Sequence, residues 1–177
     1  MNAFNLSTSI LPPGARAAVL LACLAWPFQL RAAQQPVVTG QVLTEREIVA
    51  ALPRARTGDV QYAQVNSAWL HKFYSKFRSD LARLGVVKWD ERYDCRRFAG
   101  MYTEIAQSEF FLQNFHSSSP AHTLALGPIW YLRDDGRGGH AVIVAFTERG
   151  RVYIDPQNGE EIRLSAREQA SIYLAVI

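Results

Sequence analysis

Cys95 is the one cysteine outside the N-terminal apolar run, and its surroundings suit a nucleophile. Phe98, Met101, Tyr102 and Ile105 follow it at the spacing of one helical face, which predicts a helix opening near Cys95. Asp94 suits the N-cap, where its carboxylate can accept from the second or third helical N–H. Cys95 then falls in the first turn. There the unpaired N–H groups and the positive end of the helix dipole favour a thiolate. Arg96 and Arg97 push the same way. The alternative is a buried thiol packed as a small hydrophobe.

Two later segments carry the groups a thiolate would need. His140 follows Gly138-Gly139 and opens the apolar, β-rich run to Thr147. Asp155 ends the next short strand, which begins at Arg151, and Gln157 lies two residues on. This order matches a thiolate, a general base and a carboxylate orienting the base. Trp89, Tyr93 and Asp94 before the thiol, and Gln157 after the carboxylate, are the supporting or substrate-binding candidates. An oxyanion donor is also needed. The Cys95 backbone N–H can serve; the residues directly before it, Trp89 to Asp94, include no glutamine to add a side-chain donor.

The sequence also resembles a family. Tyr93-Asp94-Cys95 with Phe98-Ala99, Gly139-His140-Ala141 and Asp155-Pro156-Gln157-Asn158-Gly159 are similar to the papain-like domain of proteins related to the Marasmius oreades agglutinin. The resemblance covers roughly Thr57 to Ile177. It implies a papain-like cysteine-peptidase fold with Cys95 as nucleophile, His140 as base and Asp155 in place of the family's acidic third member. The agglutinin is a calcium-dependent protease with acidic residues directly after its cysteine. Arg96 and Arg97 stand at those positions here, so calcium independence is expected. No trefoil sugar-binding repeats are visible, so the resemblance does not imply sugar binding.

Charge and compartment narrow the setting. Residues 1–33 hold two arginines and no acids, leaving 17 basic and 16 acidic residues in the remainder. That balance gives no reason to expect nucleic acid as a partner. Arg16 precedes the uncharged apolar run Ala17–Trp26, broken soon after by Pro27 and Arg31. The run is too short to span a bilayer and reads as an export signal, cut near Ala32-Ala33, or else an N-terminal apolar arm. Leu20-Leu21-Ala22-Cys23 resembles a lipoprotein box, and membrane anchoring is expected only if Cys23 is lipidated. After cleavage Cys95 would have no internal disulfide partner, and an exported free thiol favours a use over packing.

The elements that must position these residues read as helices first and strands after. Residues 34–56 read as a linker followed by a short helix, opened by the capping box Thr44-Glu45-Arg46-Glu47 and stopped at Pro53. Arg54 to Asp59 reads as a loop. Tyr62 to Leu84 carries an apolar stripe stepping by four through Val65, Trp69, Phe73, Phe77 and Leu81, the pattern of a core helix. The Cys95 helix runs to about Phe111. Strands are expected at Ile129–Leu132, His140–Thr147, Arg151–Ile154 and Glu161–Leu164, with a closing strand in Ser171–Ile177. The expected fold is α+β: one domain over 57–177, papain-like, with N-terminal helices packed on a small antiparallel β-sheet.

The scattered cysteines and histidines make no zinc pattern, and no glycine-rich loop opens a helix as a phosphate cradle would, so neither metal nor cofactor is expected. The main expectation is an exported cysteine hydrolase of peptide or isopeptide bonds, acting on a peptide, protein or peptidoglycan substrate through Cys95, His140 and Asp155. The alternative is a catalytically inert binding or assembly module on the same scaffold.

Overall fold

The centre of the computed structural model is a hairpin of two long apolar strands, β5 (Leu126–Leu132) and β6 (Gly139–Thr147). They pair antiparallel from Leu126 opposite Ala145 to Leu132 opposite Gly139. Nearly every residue of β6 is buried because both faces of the strand are covered. Ala141, Ile143 and Ala145 face one core; Val142, Val144 and Phe146 face the other. The connecting turn is set by Asp135, whose carboxylate accepts from the Arg137 N–H at 2.9 Å. The structure describes residues 35–177; the expected export segment 1–33 and Cys23 lie outside them.

Around this hairpin runs a nine-stranded sheet. The other strands are β1 (Val38–Thr44), β2 (Ala55–Arg56), β3 (Gln61–Val65), β4 (Thr123–Leu124), β7 (Gly150–Ile154), β8 (Glu161–Ile162) and β9 (Leu174–Val176). The path is β1-β3-β6-β5-β9-β2, with β7 on β6, β8 on β7 and β4 on β3. The sheet is mixed: β2 with β9, β3 with β4 and β3 with β6 are parallel pairs. The described helices are α1 (Glu45–Ala51), α2 (Ser67–Arg83), α3 (Cys95–Asn114) and α4 (Ala166–Ala170).

This corrects the expected fold class. A papain-like arrangement of helices on a small antiparallel sheet is replaced by a mixed nine-stranded sheet with few helices. The missed strands are β1, β2 and β3 in the first 65 residues, and β4 at Thr123–Leu124. Residues expected as linker form β1, and the expected loop after Pro53 contains β2. The long helix starts at Ser67, not Tyr62, because Tyr62 to Val65 are buried in β3. Asn66 sets that boundary: its side-chain oxygen accepts from the N–H groups of Ala68 (2.9 Å) and Trp69 (3.1 Å). Short strands paired to remote segments leave little local pattern, so tertiary pairing decides them.

α2 and α3 pack on one face of the sheet. Trp69 stacks on Phe73 with ring centroids 4.6 Å apart, and Tyr102 of α3 meets Phe73 and Phe77 edge-on at 4.9 and 5.0 Å. Each such pair contributes about 1 kcal/mol beyond area burial. These contacts anchor α3, and with it Cys95. On the other face Ile48 and Leu52 join Val142, Val144 and Tyr153. The capping box expected at Thr44 is present, with the Thr44 N–H donating to Glu47 at 2.7 Å.

Candidate functional site

Three elements bring the site together. Asp94 caps α3, accepting from the Arg96 and Arg97 N–H groups at 3.1 and 3.3 Å. Cys95 is therefore the first helical residue. His140 is the second residue of β6, just past Gly138, whose φ of +84° favours glycine. Asp155 follows β7 and is fixed by a closed turn: its N–H donates to the Glu160 carbonyl (2.9 Å) and its carbonyl accepts from the Gly159 N–H (2.7 Å). Gly159 has a φ of +81°, and a Cβ there would come within 2.3 Å of the Tyr74 ring.

His140 Nε2 lies 3.0 Å from Asp155 Oδ2. The imidazole is only 5 % exposed. Asp155 Oδ1 accepts from the Gln157 N–H at 2.9 Å. With Nε2 held by the carboxylate, Nδ1 is the ring nitrogen left over; it is buried and has no partner of ordinary hydrogen-bond geometry. The Cys95 thiol interacts with this ring strongly enough to shift both groups.

The electrostatics favour a charged cluster. The His140 imidazole lowers the Cys95 pKa, outweighing the opposing effect of burial, and the Ala141 N–H adds to the lowering. Burial alone would lower His140, but Asp155 and then Cys95 raise it above the ordinary histidine value. Burial would raise Asp155, yet His140 and the Gln157 N–H hold it below the usual carboxylate range. The three shifts run in the direction of thiolate, imidazolium and carboxylate. Such a cluster can attack an electrophile, and it also stands as a fixed pattern of charge beside a cleft.

The cleft measures about 420 Å³ and is lined by His140, Asp155, Gln157, Tyr131, Arg133 and Arg163 among others. Of the supporting candidates, Asp94 caps the helix and pairs with Arg96 at 2.6 Å. Gln157 acts through its backbone: its N–H binds Asp155 and its carbonyl accepts from the Tyr74 hydroxyl at 2.9 Å. The Tyr93 ring packs edge-on against Phe98 at 4.9 Å. Trp89 is about half exposed, and no contact ties it to the cluster. Among the described residues no three His, Cys, Asp or Glu side chains gather as a metal site.

Sequence reading missed Tyr131, which pairs with His140 across the hairpin and meets its ring edge-on at 6.0 Å. It also missed Tyr74, the ring beneath the Asp155 turn. Tyr131 was findable from the register of two apolar strands joined by a short turn; Tyr74 was not, because its contact is remote in sequence.

No protein-family model and no curated protein matches this chain. Two solved structures share its fold. One, described as "PSL1a-E64 complex", is 16 % identical with a TM-score of 0.56 over 77 % of this chain and 51 % of that one. The other is Polyporus squamosus lectin bound to the human-type influenza-binding epitope Neu5Aca2-6Galb1-4GlcNAc, 18 % identical with a TM-score of 0.52 over 73 % of this chain and 46 % of that one. The chain thus spans about half the length of each. These comparisons correct the main functional expectation of a hydrolase or thiol protease acting through Cys95, His140 and Asp155: the fold is shared with a structure whose description is that of a lectin. The described residues Gln35–Ile177 form one compact unit, and its fold is the one these two structures share.

Proposed function

We propose that residues 35–177 form a carbohydrate-binding module whose ligand seats in the cleft beside His140. The observation that carries this reading is the fold shared with two solved structures, one of them a lectin bound to a glycan epitope. The cleft supports it. Arg133, Arg163, Gln157 and Glu168 line it with donors and acceptors of both kinds, the mixture that polyol hydroxyls require. His140 and Asp155 form its charged end, and the Asp155 turn keeps that end rigid. An exported chain is the setting this reading assumes, resting on Arg16 and the apolar run after it.

The test is a glycan array followed by calorimetry on the ligands that score, with sialylated and neutral oligosaccharides side by side. Retention of a defined glycan, weakened about tenfold or more by Arg163→Ala, supports the reading. Multiple turnover of a peptide or protein substrate by the wild type, absent in Cys95→Ala, overturns it.

A further inference from the structure

A second cleft, of about 850 Å³, is lined by Leu70 and Lys72 of α2, Tyr102 of α3, Val152 and Ile154 of β7, and Glu160. Its inner wall is aliphatic, from Leu70, Val152 and Ile154, all buried. Tyr102 closes it from behind. This ring is fully buried between Phe73 and Phe77, and its hydroxyl has no partner. Burial raises its pKa well above the ordinary tyrosine value, so the group stays a neutral hydroxyl, able to donate and to accept. A buried hydroxyl of this kind is normally bonded.

The rim supplies charge of both signs. Lys72 is exposed, and among the described residues no carboxylate pairs with it. Glu160 is also exposed, its carboxylate accepting from the Asn158 amide at 3.0 Å. Arg149 and Glu161, also on the rim, satisfy each other at 2.5 Å. That leaves one cation and one carboxylate open to a ligand.

We propose that this cleft binds a short peptide with free termini. An apolar side chain lies on the wall of Leu70, Val152 and Ile154, and a backbone carbonyl accepts from the Tyr102 hydroxyl. The peptide carboxylate meets Lys72 and its ammonium meets Glu160. A polyol would leave its own hydroxyls unpaired on three aliphatic side chains. A hydrocarbon carboxylate would leave the Tyr102 hydroxyl unpaired and face Glu160 as a like charge. The site is separate from the cleft beside His140, but the two share a wall. Gly159 lines the peptide cleft, while Asp155 in the same turn lines the other. The inference does not rest on the carbohydrate reading and stands or falls alone.

The experiment titrates the protein with alanyl-leucyl-alanine, and with the same tripeptide acetylated and amidated at its ends, following binding by amide chemical shifts. The free tripeptide binds, and blocking both ends weakens it about tenfold or more. Lys72→Ala and Glu160→Ala each weaken it about fivefold. Tyr102→Phe weakens it about tenfold with no loss of melting temperature, because the hydroxyl it removes has no partner in the free protein. No shifts at roughly 10 mM peptide overturn the proposal, since that excludes even millimolar affinity. Equal binding of the blocked peptide overturns it too, as does unchanged affinity in Tyr102→Phe. A lowered melting temperature in that variant also counts against it, since the hydroxyl would then have a partner already.

Discussion

His140 and Asp155 form the most buried ion pair of the site, Nε2 to Oδ2 at 3.0 Å, with side chains 5 % and 18 % exposed. Its contribution to stability depends on pH in a definite direction. The folded His140 pKa lies above the ordinary 6.5, so its contribution is full below pH 6.5 and is lost as pH rises through the folded value. The folded Asp155 pKa lies below the ordinary 3.8, so its contribution is full above pH 3.8 and is lost as pH falls through the folded value. Both are fully present between pH 3.8 and pH 6.5. Asp155→Asn should therefore cost most in that window, about 2 kcal/mol, and less outside it. Urea unfolding of both proteins across pH checks this; a difference independent of pH would sink it.

The thiol offers a second readout of the same cluster. Cys95 should alkylate with iodoacetamide at a midpoint below the ordinary thiol value of 9.0. His140→Ala removes the largest cause of that shift and leaves burial, which acts the other way, so its midpoint should rise. Coincident curves for the two proteins would show that the ring and the thiol are uncoupled.

Asp94 plays two roles that substitution can separate. As N-cap it stabilises α3; as a carboxylate beside the thiol it raises the Cys95 pKa slightly. Asp94→Ala should lose about 1 kcal/mol of stability. Asp94→Ser keeps a capping oxygen but removes the charge and frees Arg96, so stability should hold while Cys95 alkylates at lower pH. Thermal melts together with the alkylation profile give both answers. A melting loss in the serine variant equal to that in the alanine variant would refute the capping role.

The Asp155 turn depends on Gly159. Gly159→Ala meets the Tyr74 ring at 2.3 Å and imposes a φ of +81° on an alanine. It should destabilise by about 2–3 kcal/mol and, by displacing Asp155, should also move the alkylation midpoint of Cys95. Wild-type behaviour in both measurements would mean the turn relaxes freely and does not hold the carboxylate.

Much of the site was legible because its residues announce themselves locally. Cys95 carries an N-cap and two arginines, and His140 and Asp155 sit at the ends of clear apolar strands. The β6–β7 hairpin and the closing strand near Ala175 were readable for the same reason. The sheet was not. β1, β2 and β4 are short or partly exposed, and their identity as strands comes from partners far along the chain. The stripe beginning at Val65 ran one strand into one helix, since Val65 is buried in either state. The binding module stood in the sequence reading only as the alternative, because a Cys-His-Asp order speaks first of nucleophiles.

The Tyr62 hydroxyl donates to the carbonyl of Ile177, 115 positions away, while Arg56 accepts from the Ile177 N–H and β2 pairs parallel with β9. This edge of the sheet cannot gain a ladder hydrogen bond until one of the longest loops in the domain has closed. Topology of that kind slows folding, because chain entropy is lost before any contact repays it. The β2–β9 edge is thus a late-forming seam. A change such as Ala175→Gly should leave the refolding rate nearly unaltered and show itself as faster unfolding, so this seam governs how long the folded domain lasts more than how quickly it forms.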